Sequence, residues 1–249
     1  MVSYKVIGQP SPRADGPEKA TGAALYASDV QLPGTLFGKV LRSPFPHARI
    51  VRVDTSRAEA LAGVHAVVTG EDVKGVLYGR RLRDVPALAW DRARFVGDPV
   101  AAVAAEDADI AQQALNLIDV EYEEVPAVLD PLEAMRDDAP LIHPDVNDYV
   151  GLPEPLEKPS NVFVRTVWEK GDVEQGFAQA DMIVEGTYTT QMVHQAYLES
   201  HSCLVWIDDD DRVQVWSSNK SPFALRQQLS DALGIPLERI RLNHAYIGG

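Results

Sequence analysis

Apolar positions along this chain recur with two periods, and the switches between them predict its elements. Residues 37–43 and 49–53 alternate and read as strands about a proline turn at 44–47. Asp54 and Thr55 both stand where a side-chain oxygen can accept from the free N–H groups of a short helix over 56–61, which Gly63 closes. Residues 64–69 return as a strand. The second half of the segment 95–105 is a continuous run of small apolar residues, as expected of a strand buried on both faces. Asp107 or Asp109 then starts a helix with Ile110, Ala111, Ala114, Leu115 and Ile118 on one side, and 119–123 is the next strand. Strand, helix and strand in succession predict a mixed α/β domain ending near Leu132.

Two stretches lack such periodicity. Residues 1–22, rich in Pro, Gly and charge, read as an extended arm. Residues 136–160, with Pro140, Pro144, Pro153, Pro155 and Pro159, read as a connector marking a domain boundary. Beyond it, 162–169 and 182–190 alternate as strands, and 202–207 and 212–216 flank Asp208, Asp209, Asp210 and Asp211. Four consecutive carboxylates can bind a cation such as calcium, but β-branched runs on both sides make a solvated hairpin tip the simpler account. Ser221 and Pro222 open a helix whose stripe is Leu225, Leu229, Ala232 and Leu233, with Gly234 suited to its left-handed C-terminal position. The last strand is 240–247. It opens into Gly248 and Gly249, residues that let a backbone approach a ligand closely, so the C-terminus reads as an interrupted ligand loop.

Composition narrows the functional classes. A hydrophobic fraction of 45% and a charged fraction of 24% are those of a globular chain. The net charge of −14 disfavours nucleic acid and anionic membrane surfaces as partners, because both demand clustered Lys and Arg. The single cysteine, Cys203, excludes an intrachain disulfide and reads as a small buried hydrophobe. The N-terminus has no signal-peptide pattern and no run is long enough to span a membrane, so the expectation is a cytoplasmic protein.

No phosphate loop, dinucleotide fingerprint, nucleophile elbow or metal-binding H-E-x-x-H is present. His194, His201 and Glu199 offer metal ligands without a second cluster to complete a site. The stretch 193–199 gathers imidazole, amide, phenol and carboxylate between two strands, a set that can give directional hydrogen bonds to a polar ligand or satisfy its own backbone. Residues 217–221 lead into a helix N-terminus and can hold an anion or simply cap the helix.

Several blocks together carry a resemblance. They are residues 15–22 (DGPEKATG), 26–29 (YASD), 41–44 (LRSP) with His47-Ala48, 95–103 (FVGDPVAAV), 120–127 (VEYEEVPA) and 194–199 (HQAYLE). In order and spacing they resemble the N-terminal part of the molybdenum-binding large subunit of the xanthine dehydrogenase/aldehyde oxidase family, in the manner of bacterial 4-hydroxybenzoyl-CoA reductase and carbon monoxide dehydrogenase. The similarity runs from about Asp15 to Gly249.

The resemblance implies an arm over 1–19, an α/β (α+β) hammerhead domain over 20–132, a linker over 133–160, and the beginning of a molybdopterin-binding domain over 161–249. It implies a loop approaching the molybdenum cofactor through Gln195, with His194 as the second candidate. Gly248 and Gly249 would begin a cofactor-contacting glycine loop. Where many members carry Thr-Gln before the helix, this chain has Asn219 and Lys220. The implied cofactor is molybdopterin, as the molybdopterin cytosine dinucleotide in a bacterial member. Iron–sulfur clusters and FAD would lie on partner subunits, and the remainder of the molybdenum subunit would be a further partner. The implied reaction is oxidation of a small molecule, with the general-base glutamate and the substrate-choosing residues beyond Gly249. The chain alone would then be inactive, and Glu199 would shape the site instead of transferring a proton. A stand-alone hammerhead module for binding or assembly is the alternative.

Overall fold

The computed structural model describes residues 5–248. In chain order the elements are α1 (Gly16–Thr21), β1 (Phe37–Arg42), β2 (Ala48–Asp54), α2 (Ser56–Glu59), β3 (Val64–Thr69), β4 (Leu77–Tyr78), β5 (Val85–Pro86), β6 (Arg92–Ala93), β7 (Pro99–Ala105), α3 (Ala108–Leu117), β8 (Asp119–Glu124), α4 (Pro131–Ala134), α5 (Val173–Gln179), β9 (Cys203–Ile207), β10 (Val213–Ser217), α6 (Pro222–Leu233) and β11 (Ile240–Asn243). They form two compact units, one comprising Leu36–Ala196 and the other Met1–Thr35 with Tyr197–Gly249. The fold is mixed α/β.

In the unit Leu36–Ala196, β7 is the centre of an antiparallel sheet of order β1-β7-β3. Its small side chains allow helix α3 to lie close against the sheet. Ala101 and Val103 meet Ala114, Leu115 and Ile118 there, and Ala58 of α2 joins the same core. Asp107 caps α3 by accepting from the Ile110 backbone N–H at 2.7 Å. A second sheet, β6-β2-β8, is also antiparallel. The block at 95–103 is structural: the Asp98 carboxylate, 1% exposed, accepts from the Arg94 N–H at 2.9 Å. Its carbonyl receives the Ser43 N–H at 2.9 Å, and Gly97 donates back to the Ser43 carbonyl at 2.8 Å. His47 is buried too, its Nδ1–H donating to the Pro126 carbonyl at 2.8 Å.

Several expectations are corrected. Residues 16–19 are not extended arm but part of α1, because Lys19 pairs with Asp15 at 2.7 Å, the Thr21 hydroxyl donates back to the Pro17 carbonyl at 2.8 Å, and Gly22 turns left-handed with φ 77°. Residues 1–4 of the expected arm lie outside the described residues. The helix expected over 56–61 ends at Glu59. Asp54, and not Thr55, supplies the side-chain oxygen that receives the Ser56 N–H. Segments 162–169 and 182–190 form no strand, and Trp168 and Tyr188 are each 92% exposed. Alternation prepares a segment for a sheet, but a strand needs a neighbour's N–H and C=O groups, and these segments have none among the described residues. Cys203, expected to be buried, is exposed at the start of β9.

A Cβ at Gly70 would fall 2.2 Å from the Ala89 carbonyl oxygen, so Gly70→Ala is expected to lower stability by about 1–3 kcal/mol in urea unfolding. Burial raises the Asp98 carboxyl above its ordinary value, outweighing the Arg94 backbone hydrogen bond that lowers it. The folded state therefore holds that proton more tightly than the unfolded chain, and ionising Asp98 at neutral pH costs stability. Asp98→Asn should narrow the loss of stability seen as pH rises out of the carboxyl range. Equal pH slopes for the two proteins would contradict the assignment.

Candidate functional site

The unit containing the C-terminus is built on a β–α–β crossover. Strands β10 and β11 are parallel neighbours, with Val213 opposite Ile240 and Trp216 opposite Asn243, and α6 makes the return. Pro222 sits in the first turn of α6, where its missing N–H is not needed, and Gly234 ends the helix with φ 65°. Leu229 packs on the buried Val213, Val215 and Ile240, which fixes the helix against the sheet. The Ser221 hydroxyl at the N-cap makes no bond to the helix, although the Ser221 carbonyl accepts the Leu225 N–H at 2.9 Å. The Ser221 N–H donates to Asn219 Oδ1 at 2.7 Å.

Register then brings three segments together. Strand β9 runs antiparallel to β10, with Cys203 opposite Ser217, so residues 197–202 arrive where β10 and β11 depart. Ligands of open α/β sheets bind at this carboxyl end. The Ser218 N–H donates to the Ser202 carbonyl and the Ser202 N–H to Ser218 Oγ, each at 3.4 Å. Glu199 reaches the last segment, where its Oε2 accepts the Gly248 N–H. Its Oε1 and the Ser202 hydroxyl are buried with no partner among the described residues. Such groups carry a cost of about 1–3 kcal/mol each unless a donor or acceptor arrives. A Cβ at Gly248 would stand 2.7 Å from Glu199 Cβ, so the close approach requires glycine.

The strand leading to Gly248 is held from a distant part of the sequence. The expected strand 240–247 ends at Asn243, because β10 stops at Ser217 and offers no further partner. Pairing resumes at Tyr246, whose N–H donates to the Leu25 carbonyl at 2.9 Å. The Tyr246 hydroxyl donates to Glu18 at 2.6 Å, and the Lys19 ammonium lies 5.0 Å from its ring centroid. The Glu18 carboxylate pushes the Tyr246 phenol above its ordinary value. A cleft of about 480 Å³ runs beside this strand, lined by Asp15, His244 and Tyr246 among others.

Of the residues expected at a site, Gly248 meets Glu199, and Gly249 lies outside the described residues. His194 and Gln195 belong to the other unit, both exposed. His194 Nδ1 accepts the Ala196 N–H at 3.0 Å, and Ala196 takes the left-handed conformation with φ 50°. His201, weighed as a metal ligand, instead stacks on Tyr197 with centroids 4.9 Å apart. Asp208 spends Oδ1 on the N–H groups of Asp210 and Arg212, as a hairpin tip does. Among the described residues no three His, Cys, Asp or Glu side chains converge as metal ligands. Sequence reasoning missed Glu18, Tyr246 and Ser202. Glu18 lies inside the block 15–22, which was the only available signal.

A carboxylate oxygen, a hydroxyl, backbone amides and a glycine with no side chain together suit a polar organic ligand. Residues 154–249 match the molybdopterin cofactor-binding domain, so the class is that of a molybdopterin-binding protein. Residues 21–126 match the aldehyde oxidase and xanthine dehydrogenase a/b hammerhead domain. The chain belongs to the xanthine dehydrogenase/aldehyde oxidase family. It is 39% identical over 246 residues to a probable xanthine dehydrogenase subunit of Bacillus subtilis, covering 98% of this chain and 31% of that protein. It is 33% identical to the nicotinate dehydrogenase large molybdopterin subunit of Eubacterium barkeri, covering 99% of this chain and 55% of the relative. Among solved structures, CO dehydrogenase from Oligotropha carboxidovorans matches with a TM-score of 0.84 at 32% identity, over 97% of this chain and 31% of that one. The chain thus spans roughly a third to a half of the length of these proteins. No helix among the described residues is long and apolar enough to cross a membrane.

Tyr246→Phe keeps the ring contacts and removes the hydroxyl that holds Glu18. Trypsin is expected to cut after Lys19 faster in this variant, and an unchanged cleavage rate would contradict the anchoring role.

Proposed function

We propose that this chain is the N-terminal segment of the molybdopterin-binding catalytic subunit of a molybdenum hydroxylase, supplying scaffold and part of the cofactor site. The observation that carries this reading is the convergence of 197–202, 217–221 and 244–248 at the carboxyl end of β10 and β11, with Gly248 bare and Glu199 and Ser202 each holding an unused oxygen. The N-terminal segment of the chain is residues 1–19, with the first turn of α1 at its end, the hammerhead domain 20–132, the linker 133–160 and the cofactor-binding portion 161–249. The cofactor is molybdopterin, in its cytosine dinucleotide form. Partners are the remainder of the molybdenum subunit, an iron–sulfur subunit and a flavin subunit, which carry electrons away.

When bound, the cofactor supplies the two-electron redox chemistry. The chain's own residues hold it. Gly248 and Gly249 would let the backbone approach it without a side chain in between, and Gln195, with His194 as the second candidate, would offer it a directional hydrogen bond. The α6 N-terminus favours negative charge nearby. None of these groups moves a proton in the reaction. A fixed donor aimed at developing charge lowers the barrier without reorganising.

In the assembled enzyme, Gln195→Ala is expected to lower kcat on the order of 100-fold while molybdenum content stays unchanged. Unchanged kcat would remove Gln195 from the site. The 249-residue chain on its own is expected to carry no molybdenum by elemental analysis, and stoichiometric metal would overturn the dependence on the remaining subunit.

A further inference from the structure

We propose that Glu199 is the positioning residue of the glycine segment at Gly248, acting through the Gly248 backbone amide. This role rests on the cofactor reading above and adds a residue to it. A glycine segment is the part of a chain with the most conformations to lose, so a ligand that must order it binds more weakly. Three contacts remove that freedom in advance. Ser202 is tied to Ser218 by two hydrogen bonds, which fixes the segment carrying Glu199. Tyr246 is tied to Leu25, which fixes the strand two residues before Gly248. The Glu199 carboxylate closes the remaining gap by accepting the Gly248 N–H, a charge-assisted bond. The side chain and the glycine also fit only each other, because a Cβ at position 248 would collide with Glu199. With Oε2 committed to a backbone amide, Glu199 orients Gly248, and its buried Oε1 has no partner among the described residues.

The test separates hydrogen bonding from packing. Glu199→Gln keeps a side-chain oxygen that can accept the amide, whereas Glu199→Met keeps the volume and has no such acceptor. In the 249-residue chain labelled with nitrogen-15 glycine, amide exchange at Gly248 is read by NMR. Glu199→Met is expected to speed it about tenfold or more, and Glu199→Gln to leave it within a few-fold of the parent. In the complete molybdenum subunit, Glu199→Met should lower molybdenum content and Glu199→Gln should restore it. Unchanged Gly248 exchange in Glu199→Met, or equal effects of both variants, would overturn the proposal. So would a released amide with full molybdenum content. Absence of molybdenum from the parent subunit would instead overturn the proposed function, while the exchange result would still decide whether Glu199 holds Gly248.

Discussion

The parallel pairing of β10 with β11 is the constraint on which the candidate site depends. Parallel strands cannot be joined by a tight turn, so the chain must make a crossover, and α6 fills that role. The crossover places the ends of both strands on the same edge of the sheet. The antiparallel β9 then delivers its own start to that edge. Three loops distant in sequence thereby become neighbours through backbone geometry alone, and side chains only refine what the ladder has arranged.

That refinement uses weak interactions of long reach. The carboxylate of Glu199 and the hydroxyl of Tyr246 each hold the same short strand extension, one near its end and one at its middle. Neither is a large contribution by itself, since Glu18 is exposed and such bonds are worth little in water. Their value lies in direction. Beyond Asn243 the strand has lost its neighbour in β10, and these anchors join the Tyr246 N–H bond to Leu25 in setting its course.

Local chemistry was the legible part of the sequence. Asp107 before an apolar helical stripe, the small apolar run of β7, the acidic hairpin tip and Gly234 after α6 all state their structure within a few residues. Segments 162–169 and 182–190 misled for the same reason. Their alternation says which face is apolar but not which strand will accept their hydrogen bonds. At the site, the bare Gly248 was readable as a backbone approach. The bond from Tyr246 to Glu18 was not, because it joins residues 228 positions apart. Ser202 was equally silent, since only the register of β9 on β10 gives its hydroxyl a buried position.

The packing of β7 against α3 has a consequence for how such a domain can change over time. Ala101 and Ala114 are both fully buried in it, packed among Val103, Leu115 and Ile118. Large side chains can shrink and leave a tolerable gap, but alanine leaves almost nothing to remove and no room to add. Substitutions along this seam are therefore coupled: a larger residue at Ala101 is compatible only with a smaller one opposite it, and of the buried helix-side residues only Leu115 and Ile118 have volume to give.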